Sequence, residues 1–238
     1  FTYPDTGIQA LKNVSFTAQP GEMVAIIGRT GSGKSTIANL IMRMYDCSGG
    51  EILIDGQPLS AQHLDSYRAE IGFVPQEVFL FSDTIGNNIA FSADVASQPA
   101  IEQAAKDAAV YQNIAAFDKG FETMIGERGI TLSGGQKQRV SIARAIIKQP
   151  KILIFDDCLS AVDTRTEEEI LNNLGRIMAG NTSIIIAHRI STIKNADKIL
   201  VMDDGLIIEQ GTHLSLMRKK GSYFELYEKQ LLEEQESS

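Results

Sequence analysis

Two cysteines, Cys47 and Cys158, are all that 238 residues contain, too few for a disulfide framework. A reducing, cytosolic setting follows more naturally than an oxidising one. Long apolar runs are also missing: no window approaches the length of a membrane-spanning helix, and no signal-peptide pattern opens the chain. Positive charge is scarce. Lys and Arg number 22 against 30 Asp and Glu, a net charge of −8, which argues against nucleic acid as the main ligand because phosphate backbones are met by clustered Lys and Arg. Internal repeats and low-complexity linkers are absent. What remains is the ordinary composition of a globular protein, 43% hydrophobic and 22% charged, in one large domain or two small ones. A chain of this size buries roughly three-quarters of its unfolded surface and needs no staples. It opens on Phe1 rather than Met, which suggests a piece of a longer protein.

The most informative stretch is Gly28-Arg29-Thr30-Gly31-Ser32-Gly33-Lys34-Ser35, which fits the phosphate-loop pattern G-x-x-x-x-G-K-[ST]. Upstream, Glu22 to Ile27 is an apolar run suited to a strand buried on both faces. Downstream, Ile37, Leu40, Ile41 and Met44 recur at helical spacing. Glycines in such a loop let backbone N–H groups close around phosphate oxygens, and the helix N-terminus adds partial positive charge. Lys34 then reaches the β- and γ-phosphates, and the Ser35 hydroxyl ligates Mg²⁺.

Elsewhere the pattern alternates between strands and helices. Phe1 to Pro4 and Ala10 to Phe16 read as strands around the turn Pro4-Asp5-Thr6-Gly7, and Glu51 to Asp55 as a strand ending in Asp55-Gly56. Ile71 to Val74, Ile152 to Phe155, Ser183 to Ala187 and Ile199 to Met202 are further apolar strands. From Glu77 to about Phe121 the chain turns alanine-rich and helical, which reads as a lobe inserted into the strand-bearing part. Helices are expected over Gln136 to Lys148, Asp163 to Met178 with Thr164 and Glu167 as a capping box, and from Ser222 onward. Strands separated by helices mean a parallel sheet covered on both faces.

Two further stretches carry chemistry. Lys151 to Asp157 is a buried strand that delivers Asp156 at its C-terminal end, where ligands sit in parallel sheets and a hard cation finds a carboxylate. Two adjacent aspartates after a strand fit a solvated turn or a helix N-cap as well. Leu132-Ser133-Gly134-Gly135-Gln136 leads straight into a helix and offers a second anion cradle without a lysine of its own. A half-site of this kind suggests a partner from another subunit.

Together these residues resemble the nucleotide-binding domain of ATP-binding cassette transporters over essentially the whole chain, and Leu132 to Gln136 matches that family's signature pentapeptide. The resemblance implies an α/β fold: a phosphate-loop NTPase core with a mainly parallel sheet, an N-terminal antiparallel β subdomain, and an inserted helical subdomain at about 77–145 within one domain, 1–238. It implies ATP and Mg²⁺ as cofactors. Tyr3 falls where an aromatic ring stacks on adenine, and Thr36 extends the phosphate-binding set of Gly28 to Ser35. Ser35, Gln76 and Asp156 fall at the magnesium positions, and Gln76 also reaches the attacking water. Ser160-Ala161-Val162-Asp163 resembles the loop that crosses the dimer interface, and His188 matches the switch histidine on the γ-phosphate. The working unit implied is two such domains head to tail at the cytoplasmic face of the cell membrane. Each ATP then lies between one subunit's Gly28–Ser35 and the other's Ser133, Gly134, Gly135 and Gln136, and the pair drives a transmembrane domain.

Ile125-Gly126-Glu127-Arg128-Gly129 is similar to the segment that touches the transmembrane part in exporters, so an exporter is expected rather than an importer. One position departs from the pattern. Fully active exporter cassettes carry glutamate after the magnesium aspartate as general base, and here that residue is Asp157. Its carboxylate is drawn back by about 1.5 Å, one C–C bond, and misplacement of that order costs on the order of 10²-fold in rate. With His188 and the signature intact, the chain is similar to the weakly hydrolysing half of a heterodimeric exporter. A DNA- or ribosome-acting relative would need coiled-coil insertions, a second cassette or a basic surface, and a phosphate-loop kinase or GTPase would lack Leu132 to Gln136.

Overall fold

The computed structural model describes residues 1–93, 95–126, 131–159, 162, 164–178 and 180–236, leaving aside the side chains of 164, 165 and 234–236. The expectations placed on 127–130, on Ser160, Ala161 and Asp163, and on the Thr164 side chain lie outside that set. The first half of the chain forms β1 (Met23–Gly28), α1 (Lys34–Ile41), β2 (Leu53–Ile54), β3 (Gln57–Pro58), α2 (Leu64–Ala69), β4 (Ile71–Val74), α3 (Ile85–Ala90), α4 (Gln98–Asp107) and α5 (Tyr111–Ala115). The second half forms α6 (Gly134–Ile146), β5 (Ile152–Asp156), α7 (Thr164–Met178), β6 (Thr182–Ile186), α8 (Ile190–Ile193), β7 (Lys198–Asp203), β8 (Leu206–Gly211), α9 (His213–Lys219) and α10 (Ser222–Glu236). Among the described residues no helix is long and apolar enough to cross a membrane. The elements belong to two compact units, Phe1–Ala69 with Thr182–Ser238, and Glu70–Asn181.

In the first unit the strands run β6-β1-β7-β8. β1 is parallel to both neighbours, with Val24 opposite Ile184 and Ala25 opposite Ile199. β8 closes the edge antiparallel to β7, with a register shift between Val201 and Met202. Val24, Ala25, Ile26 and Ile27 are all buried, as an apolar run enclosed on both faces requires. The C-terminal carbonyls of α1 are taken up by α2: Tyr67 Oη donates to Ile41 O at 2.8 Å, and Arg68 donates to Met42 O and Arg43 O at 3.1 and 3.0 Å. Burial pushes the Tyr67 phenol up to about 12, so it stays a donor at any ordinary pH.

Two expectations are corrected in this unit. α1 ends at Ile41 rather than reaching Met44, because Arg43 takes a left-handed φ of 51°; Met44 is exposed. Ala10 to Phe16 forms no strand. Ala10 and Leu11 donate to Phe1 O, Lys12 donates to Gly205 O, and Asn13 turns left-handed at φ 53°. Besides β7–β8, antiparallel pairing among the described residues of this unit comprises an isolated Thr2–Gln9 bridge and the β2–β3 hairpin, whose turn Asp55-Gly56 has both φ positive, as the tightest hairpins need.

The second unit packs helices around the parallel pair β4–β5, with Ile71 opposite Ile152. The stretch expected to be helical from Glu77 starts as a loop, and helix begins only at Ile85. Thr84 caps it by accepting from Asn87 N at 3.0 Å, and Ser97 caps α4 from Ala100 N at 3.4 Å. Ile85, Ile89, Ala105, Ile114, Val140 and Ile142 fill the space between α3, α4, α5 and α6.

Gly72 in β4 faces this core, and a Cβ there would lie 2.7 Å from Ala145 O and 2.8 Å from both Leu153 and Pro150. Gly72→Ala should lower the unfolding free energy by about 1–3 kcal/mol, read by chemical denaturation. Cys158 is buried at 2% exposure, and desolvation pushes its thiol far above the ordinary range, whereas Cys47 is partly exposed. Iodoacetamide at mildly alkaline pH should therefore alkylate Cys47 and spare Cys158 until the protein is unfolded, as peptide mass spectrometry would show.

Candidate functional site

The first unit supplies a phosphate loop. β1 ends at Gly28, where a Cβ would stand 2.1 Å from Met202 O, so only glycine lets the chain leave the sheet against β7. Gly33 is the N-cap of α1 at φ 97°, and a Cβ there would meet Ala10 O at 2.6 Å. Between them the loop closes with Ser32 N donating to Arg29 O at 3.2 Å. Lys34 is only 6% exposed, and its ammonium folds back to donate to Gly28 O and Arg29 O, both at 2.8 Å. A buried ammonium donating to the loop's own carbonyls beside a helix N-terminus concentrates positive charge there, which favours an anion at the loop. Ser32 Oγ is buried and has no hydrogen-bond partner among the described residues. A buried hydroxyl inside a glycine loop at a helix N-terminus fits a phosphate oxygen.

Tyr3 and His188 belong to the same unit. The Tyr3 hydroxyl lies 3.0 Å from Thr36 Oγ1 in the first turn of α1, and its ring packs edge-on against Phe1 and Tyr45, with centroids at 4.9 and 5.3 Å. The ring is thus fixed relative to the phosphate loop by a bond that the sequence did not signal. His188 follows β6 across Ala187, whose N–H continues the sheet by donating to Ile26 O at 3.2 Å. His188 is half-buried, and its carbonyl accepts from Gln230 Nε2.

In the second unit, β5 carries Asp156 at its C-terminal end, 6% exposed. Asp157 then turns left-handed at φ 46° and is half-buried. Gln76, just after β4, donates through Nε2 to Asp157 Oδ2 at 3.1 Å. Two residues 81 positions apart, singled out for different reasons, are thereby in direct contact.

Ser133 caps α6 in a full capping box: Gln136 N donates to Ser133 Oγ at 3.2 Å, and Ser133 N donates to Gln136 Oε1 at 2.9 Å. The amide oxygen of Gln136 is engaged inside the helix start. Ser133 and Gly134 are exposed. Arg139 ties the same turn to the preceding helices by donating to Gly135 O, Ala109 O and Asn113 Oδ1 at 3.2, 2.6 and 3.0 Å. Further along α6, Arg144 donates to Asn88 O, Asn88 Oδ1 and Phe79 O, and lies over the rings of Phe81 and Phe91. Phe79, Phe81 and Phe91 form an exposed aromatic patch, 68%, 37% and 63% accessible, in which the Phe81 ring contacts both of the others.

Comparison with known proteins bears on this arrangement. Residues 11–160 match the family model described as ABC transporter. Over 234 residues the chain is 49% identical to an ATM1-type heavy metal exporter of Novosphingobium aromaticivorans, covering 98% of this chain and 38% of that protein. It is 48% identical over 234 residues to an ATP-dependent lipid A-core flippase of Hahella chejuensis, covering 98% of this chain and 40% of that protein. A solved structure of a bacterial Atm1-family ABC exporter with ATP bound superposes with a TM-score of 0.92 at 48% identity, covering 96% of this chain and 40% of that one. The chain therefore spans about two-fifths of the length of the curated relatives it matches. With most of its residues inside the family model and a phosphate loop folded as that family's chemistry requires, the chain belongs to the ABC transporter family.

Proposed function

We propose that this chain is the ATP-binding and ATP-hydrolysing domain, 1–238 with its helical subdomain near 77–145, that powers an exporter from the cytoplasmic face of a membrane. The observation that carries the reading is the buried Lys34 ammonium, turned onto the carbonyls of Gly28 and Arg29 inside a left-handed glycine loop. Lys34 with Gly28, Arg29, Thr30, Gly31, Ser32, Gly33, Ser35 and Thr36 binds the triphosphate, and Tyr3 stacks on adenine. Ser35, Gln76 and Asp156 would hold Mg²⁺, which would supply charge neutralisation on the phosphates. Asp157 accepts a proton from the attacking water, Gln76 orients that water, and His188 contacts the γ-phosphate. Ser133, Gly134, Gly135 and Gln136 close over the ATP of a second nucleotide-binding domain, since an exposed, capped helix start with free N–H groups suits an anion brought by a partner. The exposed Phe79–Phe81–Phe91 patch is the surface on which the transmembrane domain rests, and Arg144 links it to the signature helix α6.

A second reading is favoured by Asp157 itself. One of its oxygens is engaged by Gln76, and its side chain is a methylene shorter than glutamate. On that reading the chain is the mainly ATP-binding half of a heterodimeric exporter, and its signature completes the faster site on its partner.

Two measurements on the full-length transporter test these readings. Gly134→Asp places a carboxylate that favours the helix start but repels a triphosphate. It should leave equilibrium ATP affinity within about twofold of the parent while steady-state turnover falls about tenfold or more; unchanged turnover contradicts the two-domain sandwich. Asp157→Glu should raise turnover by about tenfold or more if the degenerate-half reading holds, and turnover no faster than the parent removes that reading.

A further inference from the structure

α8 is a four-residue helix that starts two residues after His188, and its N-cap, Arg189, makes no side-chain cap bond. The bond that satisfies its first N–H comes from 40 residues downstream: Ile190 N donates to Gln230 Oε1 at 2.8 Å. The other end of the same amide, Gln230 Nε2, donates to His188 O at 2.5 Å. One side chain on α10 therefore grips the backbone on both sides of Arg189, using donor and acceptor together. The mouth of the His188 loop is held this way from a helix outside it.

α10 is itself placed with little freedom. The Glu209 carboxylate, within β8, accepts from Ser222 N at 3.1 Å and Tyr223 N at 3.0 Å, capping the helix. A Cβ on Gly221 would lie 1.8 Å from Glu209 Oε1, so the chain needs glycine to bring the cap this close. Tyr223 is fully buried, with its hydroxyl 2.9 Å from His213 Nδ1. Gln230 sits eight residues beyond the cap, about 12 Å along the axis, on a helix whose start is fixed to the sheet edge.

We propose that Gln230 is a positioning residue for His188, and that docking of α10 sets whether the histidine is aligned for hydrolysis. This rests on the reading of His188 as a γ-phosphate contact. Gln230 touches neither nucleotide nor metal. It acts by fixing the carbonyl and the helix start that flank the histidine, where displacements of about 1 Å carry large rate costs. Loss of the clamp leaves the phosphate loop and Tyr3 untouched, so the effect falls on turnover rather than on nucleotide binding.

The test uses the full-length protein with Mg²⁺ and ATP, comparing the parent with Gln230→Met, Gln230→Glu, His188→Ala and the double variant Gln230→Met/His188→Ala. Gln230→Met keeps the stem and removes both polar ends. Its kcat should fall about tenfold, with KM for ATP and the thermal midpoint close to the parent's. Gln230→Glu keeps an acceptor for Ile190 N–H and should fall less. In the His188→Ala background, Gln230→Met should cause no further loss, because two residues acting through one step are not additive. An inactive His188→Ala beside a fully active Gln230→Met overturns this inference alone. A Gln230→Met loss that is undiminished in the His188→Ala background, or that appears as a lowered thermal midpoint with kcat retained in the folded fraction, makes Gln230 merely structural. A His188→Ala variant as active as the parent removes the reading of the histidine and the inference together.

Discussion

A lysine ammonium buried against two backbone carbonyls is the constraint from which the rest of this chain follows. The carbonyls of Gly28 and Arg29 accept from the Lys34 ammonium at 2.8 Å, and taking a cation out of water costs several kcal/mol. The fold tolerates that cost because the loop is over-determined. Gly28 lies against the backbone of β7, Gly33 lies against the carbonyl of Ala10, and β1 is pinned between two parallel neighbours. Rigid neighbours hold the ammonium and the α1 N-terminus in place before any anion arrives, which is the preorganisation that phosphate chemistry rewards.

The same economy of support recurs at the other functional positions. Tyr3 is anchored by its hydroxyl to Thr36, a residue of the phosphate-loop helix, so ring and loop are one assembly. In the second unit, the Asp157 carboxylate is held by Gln76, and the signature residues spend a side-chain amide on capping rather than on a ligand. The Arg144 guanidinium ties α6 to Asn88 and to Phe79 of the aromatic patch. Partial burial lowers the proton affinity of that guanidinium, and its three hydrogen bonds are what keep the buried charge tolerable. Tyr3 and Phe79 are loop residues held by side chains from α1 and α6, the usual division of labour between scaffold and site.

The sheet strands were legible within a residue or two because strands buried on both faces must be written in Val, Ile, Leu and Phe. Met23–Gly28, Ile71–Val74, Ile152–Asp156, Thr182–Ile186 and Lys198–Asp203 all have that character. The phosphate loop and the capped signature start were legible because glycine and serine spacing there answers to chemistry rather than packing. β8 escaped notice because an edge strand with Leu206 and Ile208 exposed and Glu209 turned toward α10 has no apolar run to announce it. The expected strand at Ala10 to Phe16 had the right alternation but no partner, and its N–H groups went to Phe1 and Gly205 instead. Side-chain to backbone bonds across large sequence separations, such as Gln230 on the His188 loop or Tyr67 on the end of α1, leave no local pattern and emerge only from the folded chain.

The central claim is that the Lys34 ammonium exists to meet a triphosphate, and equilibrium binding of Mg-ATP to the full-length protein and its Lys34→Ala variant tests it most directly. The account predicts a weakening of at least about 100-fold in Kd, the loss of two or more charge-assisted bonds in a water-poor loop. Equal affinity in the two proteins would contradict it.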